Sequence, residues 1–105
     1  MDIPQIQIHE AKKKFDQQGC LFVDIRDPGS YQSAHIPGAV HLHDGNVQGF
    51  IENTDRNAEV VVYCYHGNSS LGAAAYFIEN GFKNVASMSG GFEAWRQVYE
   101  HESQD

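Results

Sequence analysis

The residues Val60-Val61-Val62-Tyr63 form an unbroken run of large, β-favouring side chains that ends on Cys64. A strand with one wet face alternates polar and apolar residues, so a run without alternation predicts a strand buried on both faces. Such strands belong to parallel sheets with helices packed on either side. Downstream, Leu71, Ala74, Ala75 and Ile78 recur at the i, i+3, i+4, i+7 spacing of a helix face. The segment Tyr65-His66-Gly67-Asn68-Ser69-Ser70 is therefore a tight strand-to-helix turn, with Cys64 at the carboxyl end of the strand. That edge of a parallel α/β sheet is where ligands and chemistry collect.

The turn suits a sulfur anion. A free thiol titrates near 8.5, and N–H groups oriented toward it near a helix N-terminus lower that value. Gly67 and Asn68 tolerate left-handed backbone, so successive amides can curl inward as an anion-binding nest. Ser69 and Ser70 add hydroxyl donors and are candidate N-caps for the helix. Cys64 is the expected nucleophile, and Tyr65, His66, Gly67, Asn68, Ser69 and Ser70 are the expected substrate-binding residues.

The rest of the chain alternates strand-like and helix-like segments with no linker or repeat. Ile6-Gln7-Ile8 reads as a short edge strand, and His9 to Gln18 as a helix with Ile8, Ala11 and Phe15 on one face and Gly19 as its stop. Leu21 to Ile25 is a second buried strand, with Cys20 at its entrance as packing. The turn Arg26-Asp27-Pro28-Gly29 leads into about one helical turn over Ser30–Ala34. Ala39 to Leu42 is a short strand, and Asp44 is the candidate N-cap of a helix near Val47, Phe50 and Ile51. Gly81 stops the helix after the cysteine turn, and Val85 to Met88 is the last strand. Gly90-Gly91 opens a final helix with Phe92, Trp95 and Tyr99 on one face, and the polar tail from Glu100 is expected to fray. Alternation of this kind predicts an α/β fold with helices on both faces of the sheet, and 105 residues make one domain, 1–105.

Composition narrows the function classes. A net charge of −7 argues against nucleic acid or an anionic membrane as partner. No apolar run approaches the ~20 residues of a membrane span. The start Met1-Asp2-Ile3-Pro4 does not read as a targeting signal. Two cysteines separated by 43 residues form neither a redox pair nor a metal motif, which points to a reducing compartment.

Three stretches in order then carry a family resemblance. Val23-Asp24-Ile25-Arg26-Asp27 with His35-Ile36-Pro37-Gly38-Ala39, the cysteine turn, and Gly90-Gly91-Phe92-Glu93-Ala94-Trp95 resemble the landmarks of rhodanese domains, here of the short single-domain kind. The resemblance implies a rhodanese-like fold, a five-stranded parallel sheet flanked by helices, around Cys64. It also implies a thiosulfate sulfurtransferase that carries a persulfide on Cys64, without metal or organic cofactor, as a monomer or weak dimer in the cytoplasm. The partners it implies are a small-molecule sulfur donor and a thiophile such as cyanide or a thioredoxin-like dithiol. A persulfide-relay module, passing sulfur between proteins, needs the same turn and is the alternative. Larger rhodaneses place cationic side chains in this loop, whereas residues 65–82 here contain no Lys or Arg.

Other candidates weigh less. A phosphatase with this architecture needs an Arg six residues after the cysteine to clamp phosphate, and Ser70 stands there. His35, His41 and His43 lack a fourth ligand, and no metal site is expected of them. Asp24 and Arg26 are expected to form a structural ion pair rather than an acid-base pair. Trp95 is expected in the core.

Overall fold

A computed structural model describes residues 2–103. Five strands, β1 (Gln5–Ile6), β2 (Cys20–Asp24), β3 (Val40–His41), β4 (Glu59–Tyr63) and β5 (Asn84–Met88), alternate with five helices. The helices are α1 (Ile8–Gln17), α2 (Pro28–Ser33), α3 (Val47–Asn53), α4 (Ser69–Glu79) and α5 (Gly91–Trp95). The strands form one parallel sheet in the order β1-β5-β4-β2-β3, which puts β4 in the middle.

The unbroken apolar run is explained by that position. Val61 and Tyr63 of β4 join Phe22, Met88, Phe92 and Trp95 in one core layer, with Ala11 of α1. Val60 and Val62 point the other way and pack with Val23, Val85, Ala74, Phe77 and Ile51, under α3 and α4. Successive side chains of a strand face opposite sides, so a strand covered on both faces has no position for a polar residue. The short α5 could not persist alone. It is held because Trp95 and Phe92 are buried, each contributing about 1.5–3 kcal/mol by leaving water.

Several local expectations are corrected. Ile8 belongs to α1 rather than to an edge strand, which is confined to Gln5–Ile6. The helix α1 ends on Gln18, whose φ of 62° is left-handed and whose N–H donates to Phe15 O; Gly19 does not make the turn. The cap of α3 is Asn46 rather than Asp44, because the loop turns on a hydrogen bond from His43 N–H to Asn46 Oδ1. Asn68, not Ser69 or Ser70, is the N-cap of α4, and its side chain makes no capping bond.

The tail does not fray at Glu100. Trp95 Nε1 donates to Glu100 O at 2.7 Å, and Glu102 pairs antiparallel with His35 through two backbone hydrogen bonds of 2.8 and 2.9 Å. The last part of the expected tail, residues 104–105, lies outside the described residues. Among the described residues no helix is long and apolar enough to cross a membrane.

Candidate active site

Because every strand runs the same way, β2, β4 and β5 deliver their carboxyl ends to one edge. Cys64 is the first residue beyond β4 and is 4% exposed. Its Sγ accepts hydrogen bonds from Gly67 N–H at 3.2 Å and Ser70 N–H at 3.3 Å, and Ser70 Oγ lies 3.4 Å away. Burial by itself pushes the thiol up. The Ser70 hydroxyl and the Ser70, Gly67 and His66 amides outweigh it, so the Cys64 thiol titrates below its ordinary value.

The turn that makes this cradle depends on Gly67. Its φ of 96° is in the left-handed region, and a Cβ there would sit 3.1 Å from Gly90 N and 3.2 Å from Met88 O. The loop is backed by α5: Phe92 N–H donates to Cys64 O at 2.8 Å and Glu93 N–H to Tyr65 O at 3.0 Å. With those carbonyls tied to α5, the loop amides are free to face the sulfur.

These features meet three comparisons. The family model for the rhodanese-like domain matches residues 7–98. The chain belongs to the rhodanese-like domain family. It is 48% identical over 101 residues to a Pseudomonas putida protein named thiosulfate sulfurtransferase GlpE, covering 96% of this chain and 89% of that one. It is 52% identical over 86 residues to the Pseudomonas entomophila protein of the same name, covering 82% of this chain and 79% of that one. Its backbone is similar to the solution structure of the rhodanese-like domain of the Anabaena Alr3790 protein, with a TM-score of 0.86 and 23% identity over 98% of this chain and 80% of that one.

In this rhodanese-like domain the expected substrate-binding residues divide into three groups. Gly67 and Ser70 are buried and donate to the sulfur, while the exposed His66 contributes only through its amide's share in lowering the thiol. Asn68 and Ser69 stand exposed at the lip. Tyr65 turns its side chain away from the sulfur: its hydroxyl donates to Asp27 Oδ1 and lies 2.6 Å from Ser30 Oγ. The Tyr65 hydroxyl, with the Ser30 hydroxyl and amide, holds the Asp27 carboxyl down at about 2. Tyr65, Asp27 and Ser30 thus latch the loop to the start of α2.

Asp24 and Arg26 form the expected structural pair. Arg26 Nη2 donates to Asp24 Oδ2 at 2.7 Å and to Ala34 O at 2.6 Å. The guanidinium lies 4.3 Å from the Phe92 ring centroid and 5.6 Å from that of Tyr65. Its charge is matched by Asp24 and covered by rings. Of the three histidines, His43 accepts at Nδ1 from Gly45 N–H at 3.0 Å. Tyr31 is stacked on both His35 and His41, at 3.9 and 4.7 Å between centroids, and His41 Nε2 is 2.7 Å from Arg26 O.

Sequence reasoning missed three things: the close approach of Gly91 to the loop, the Tyr65–Asp27 latch, and Ser87, whose Oγ is 2.7 Å from Ser70 Oγ. The signal for Ser87 was available as the one hydroxyl within the apolar run Val85-Ala86-Ser87-Met88. The two cysteines provide a direct check. Burial pushes the Cys20 thiol up to about 11, with Glu59 adding to it. Limited iodoacetamide at about pH 8 is expected to modify Cys64 well before Cys20, with a rate–pH midpoint below 8.5. Peptide mass mapping reads both, and equal labelling of the two thiols contradicts the cradle.

Proposed function

We propose that the protein is a sulfurtransferase that takes the outer sulfur of thiosulfate onto Cys64 and delivers it to a thiophile. The observation that carries this reading is the convergence of Gly67 N–H, Ser70 N–H and the Ser70 hydroxyl on one sulfur at 3.2–3.4 Å. Support comes from the lowered Cys64 thiol and from relatives about half identical that bear the name thiosulfate sulfurtransferase.

In the first half-reaction the Cys64 thiolate attacks the outer sulfur of thiosulfate. A Cys64–sulfur bond forms, the sulfur–sulfur bond of thiosulfate breaks, and its electron pair leaves with sulfite. The terminal persulfide sulfur carries the negative charge. In the second, cyanide attacks that terminal sulfur, thiocyanate departs, and the Cys64 thiolate is regenerated. A thioredoxin-like dithiol acceptor would instead become a disulfide and release the sulfur as hydrogen sulfide. Dividing one transfer into two displacements is the benefit of a covalent intermediate. The amides are already oriented toward the sulfur, so holding charge there needs no reorganisation. The same steps serve a persulfide relay between proteins if the donor is itself a protein persulfide. A cytoplasmic setting suits both, since the Cys64 thiolate must stay reduced.

The test is intact-mass measurement after brief incubation with thiosulfate. The wild type is expected to gain one sulfur atom, lost again on adding cyanide, and Cys64→Ser is expected to gain none. If the wild type gains no mass with thiosulfate but does so with a protein persulfide, the relay reading replaces this one.

A further inference from the structure

Beneath the cradle lies a second buried hydroxyl. Ser87 stands on β5, opposite Val62 in the ladder with β4, and shares its face of the strand with Val85 in the core under α4. It is 1% exposed, and Ser70 is 0% exposed. Ser87 Oγ is 2.7 Å from Ser70 Oγ, which is in turn 3.4 Å from Cys64 Sγ. Among the described residues Ser70 Oγ is the one side-chain hydrogen-bond partner of Ser87 Oγ.

Each hydroxyl has one proton to donate. If Ser70 donated to Ser87, the Ser87 proton would face apolar core without an acceptor, and an unsatisfied buried donor is costly. Both protons are satisfied when Ser87 O–H donates to Ser70 Oγ and Ser70 O–H donates to Cys64 Sγ. We propose that Ser87 is a positioning residue, which by donating to Ser70 commits the Ser70 proton to the Cys64 sulfur and so favours its thiolate.

This rests on Cys64 being the nucleophile. Among the contacts that lower the Cys64 thiol, the Ser70 hydroxyl is the largest. The Gly67 and Ser70 amides donate whatever Ser87 does, so the loss on removing Ser87 is partial. The charged and titratable groups on the loop and on the elements around it include His66, Asp27 latched to Tyr65, Arg26 paired with Asp24, Glu93 of α5, Tyr76 and Glu79 of α4, and Glu59 and Tyr63 of β4. Among the described residues none of them hydrogen-bonds to Ser87, so a comparison of variants isolates the hydroxyl.

The experiment is the pH dependence of Cys64 alkylation by iodoacetamide, followed on the Cys64 peptide, with circular dichroism as the check on folding. Ser87→Ala is expected to raise the midpoint by about half a unit to one unit. Ser87→Thr, which keeps the hydroxyl, is expected to return it to the wild-type value. Ser70→Ala should raise it at least as far, and adding Ser87→Ala to Ser70→Ala should raise it no further, as expected of residues that act through one another. A folded Ser87→Ala protein with the wild-type midpoint overturns the proposal. So does a shift that persists undiminished in the Ser70→Ala background. Should Ser87→Ala not fold, Ser87→Cys, of similar volume and with a weaker donor, is measured in its place against the same expectation. Alkylation needs no sulfur donor, so a missing mass gain with thiosulfate and a missing midpoint shift remain separate results.

Discussion

Gly91→Ala is expected to lower kcat/KM for thiosulfate by about a hundredfold or more, because a misplacement of about 1 Å in a catalytic loop has effects of that size. A Cβ at Gly91 would lie 2.4 Å from Tyr65 O, 2.5 Å from Tyr65 C and 2.7 Å from Cys64 O. All three are backbone atoms of the cysteine loop and cannot swing aside as a side-chain tip could. The residue also has a φ of 60°, which alanine adopts at a cost. To make room, α5 and the loop must separate, and the hydrogen bonds from Phe92 N–H to Cys64 O and Glu93 N–H to Tyr65 O then lengthen. Once those carbonyls are released, nothing keeps the Gly67 and Ser70 amides turned toward the sulfur. Strain and overpacking together should also cost about 2–4 kcal/mol of stability. Steady-state kinetics with thiosulfate and cyanide, alongside urea unfolding, separate the two losses. Gly19→Ala is the control, since a Cβ there meets nothing within 4 Å and its backbone is ordinary; it should leave activity unchanged. Full activity in Gly91→Ala would show that α5 is not what braces the loop.

The second large effect concerns stability. Arg26→Leu is expected to destabilise the fold by about 3–5 kcal/mol, the usual consequence of leaving one member of a buried ion pair alone. Asp24 is 0% exposed, and three of its hydrogen bonds come from the Arg26 side chain, at 2.7, 3.1 and 3.2 Å. Leucine supplies none of them, and Ala34 O also loses its 2.6 Å donor. Replacing Asp24 by Asn in the Arg26→Leu background removes the stranded charge and should recover part of the loss. Urea midpoints for the two variants and the wild type decide the matter. A loss of less than about 1 kcal/mol in Arg26→Leu would mean that Asp24 finds other partners. Activity should fall as well, since the guanidinium lies under the Tyr65 and Phe92 rings that flank the cysteine loop.

What could be read from the chain alone was whatever depends on neighbours within a few residues. The apolar run Val60–Tyr63, the spacing of Leu71, Ala74 and Ile78, and the glycine between them placed a cysteine in a strand-to-helix turn. That is what the structure contains, from β4 to α4. The parallel arrangement was legible for the same reason, because a strand buried on both faces has no wet side to mark with polar residues. Even locally, competition between near-equal choices went unresolved. Gln18 rather than Gly19 took the left-handed position, and Asn46 rather than Asp44 capped α3. Such choices differ by a few tenths to about 1 kcal/mol, and packing against the rest of the molecule decides them.

The order β1-β5-β4-β2-β3 was decided only in three dimensions, and everything that supports the cysteine follows from it. With β5 beside β4, Ser87 comes under Ser70, and the turn after β5 carries Gly91 onto the Tyr65 carbonyl. With β2 on the other side, Asp27 and Ser30 come within reach of the Tyr65 hydroxyl, and Arg26 under its ring. The tail docks on His35 because Trp95, buried in the core, fixes where the chain leaves α5. Periodicity records which face of an element is buried, but not which element buries it. The cysteine and its turn are local and were written in consecutive residues. The groups that aim the turn come from distant segments, and only the closing of the sheet brought them together.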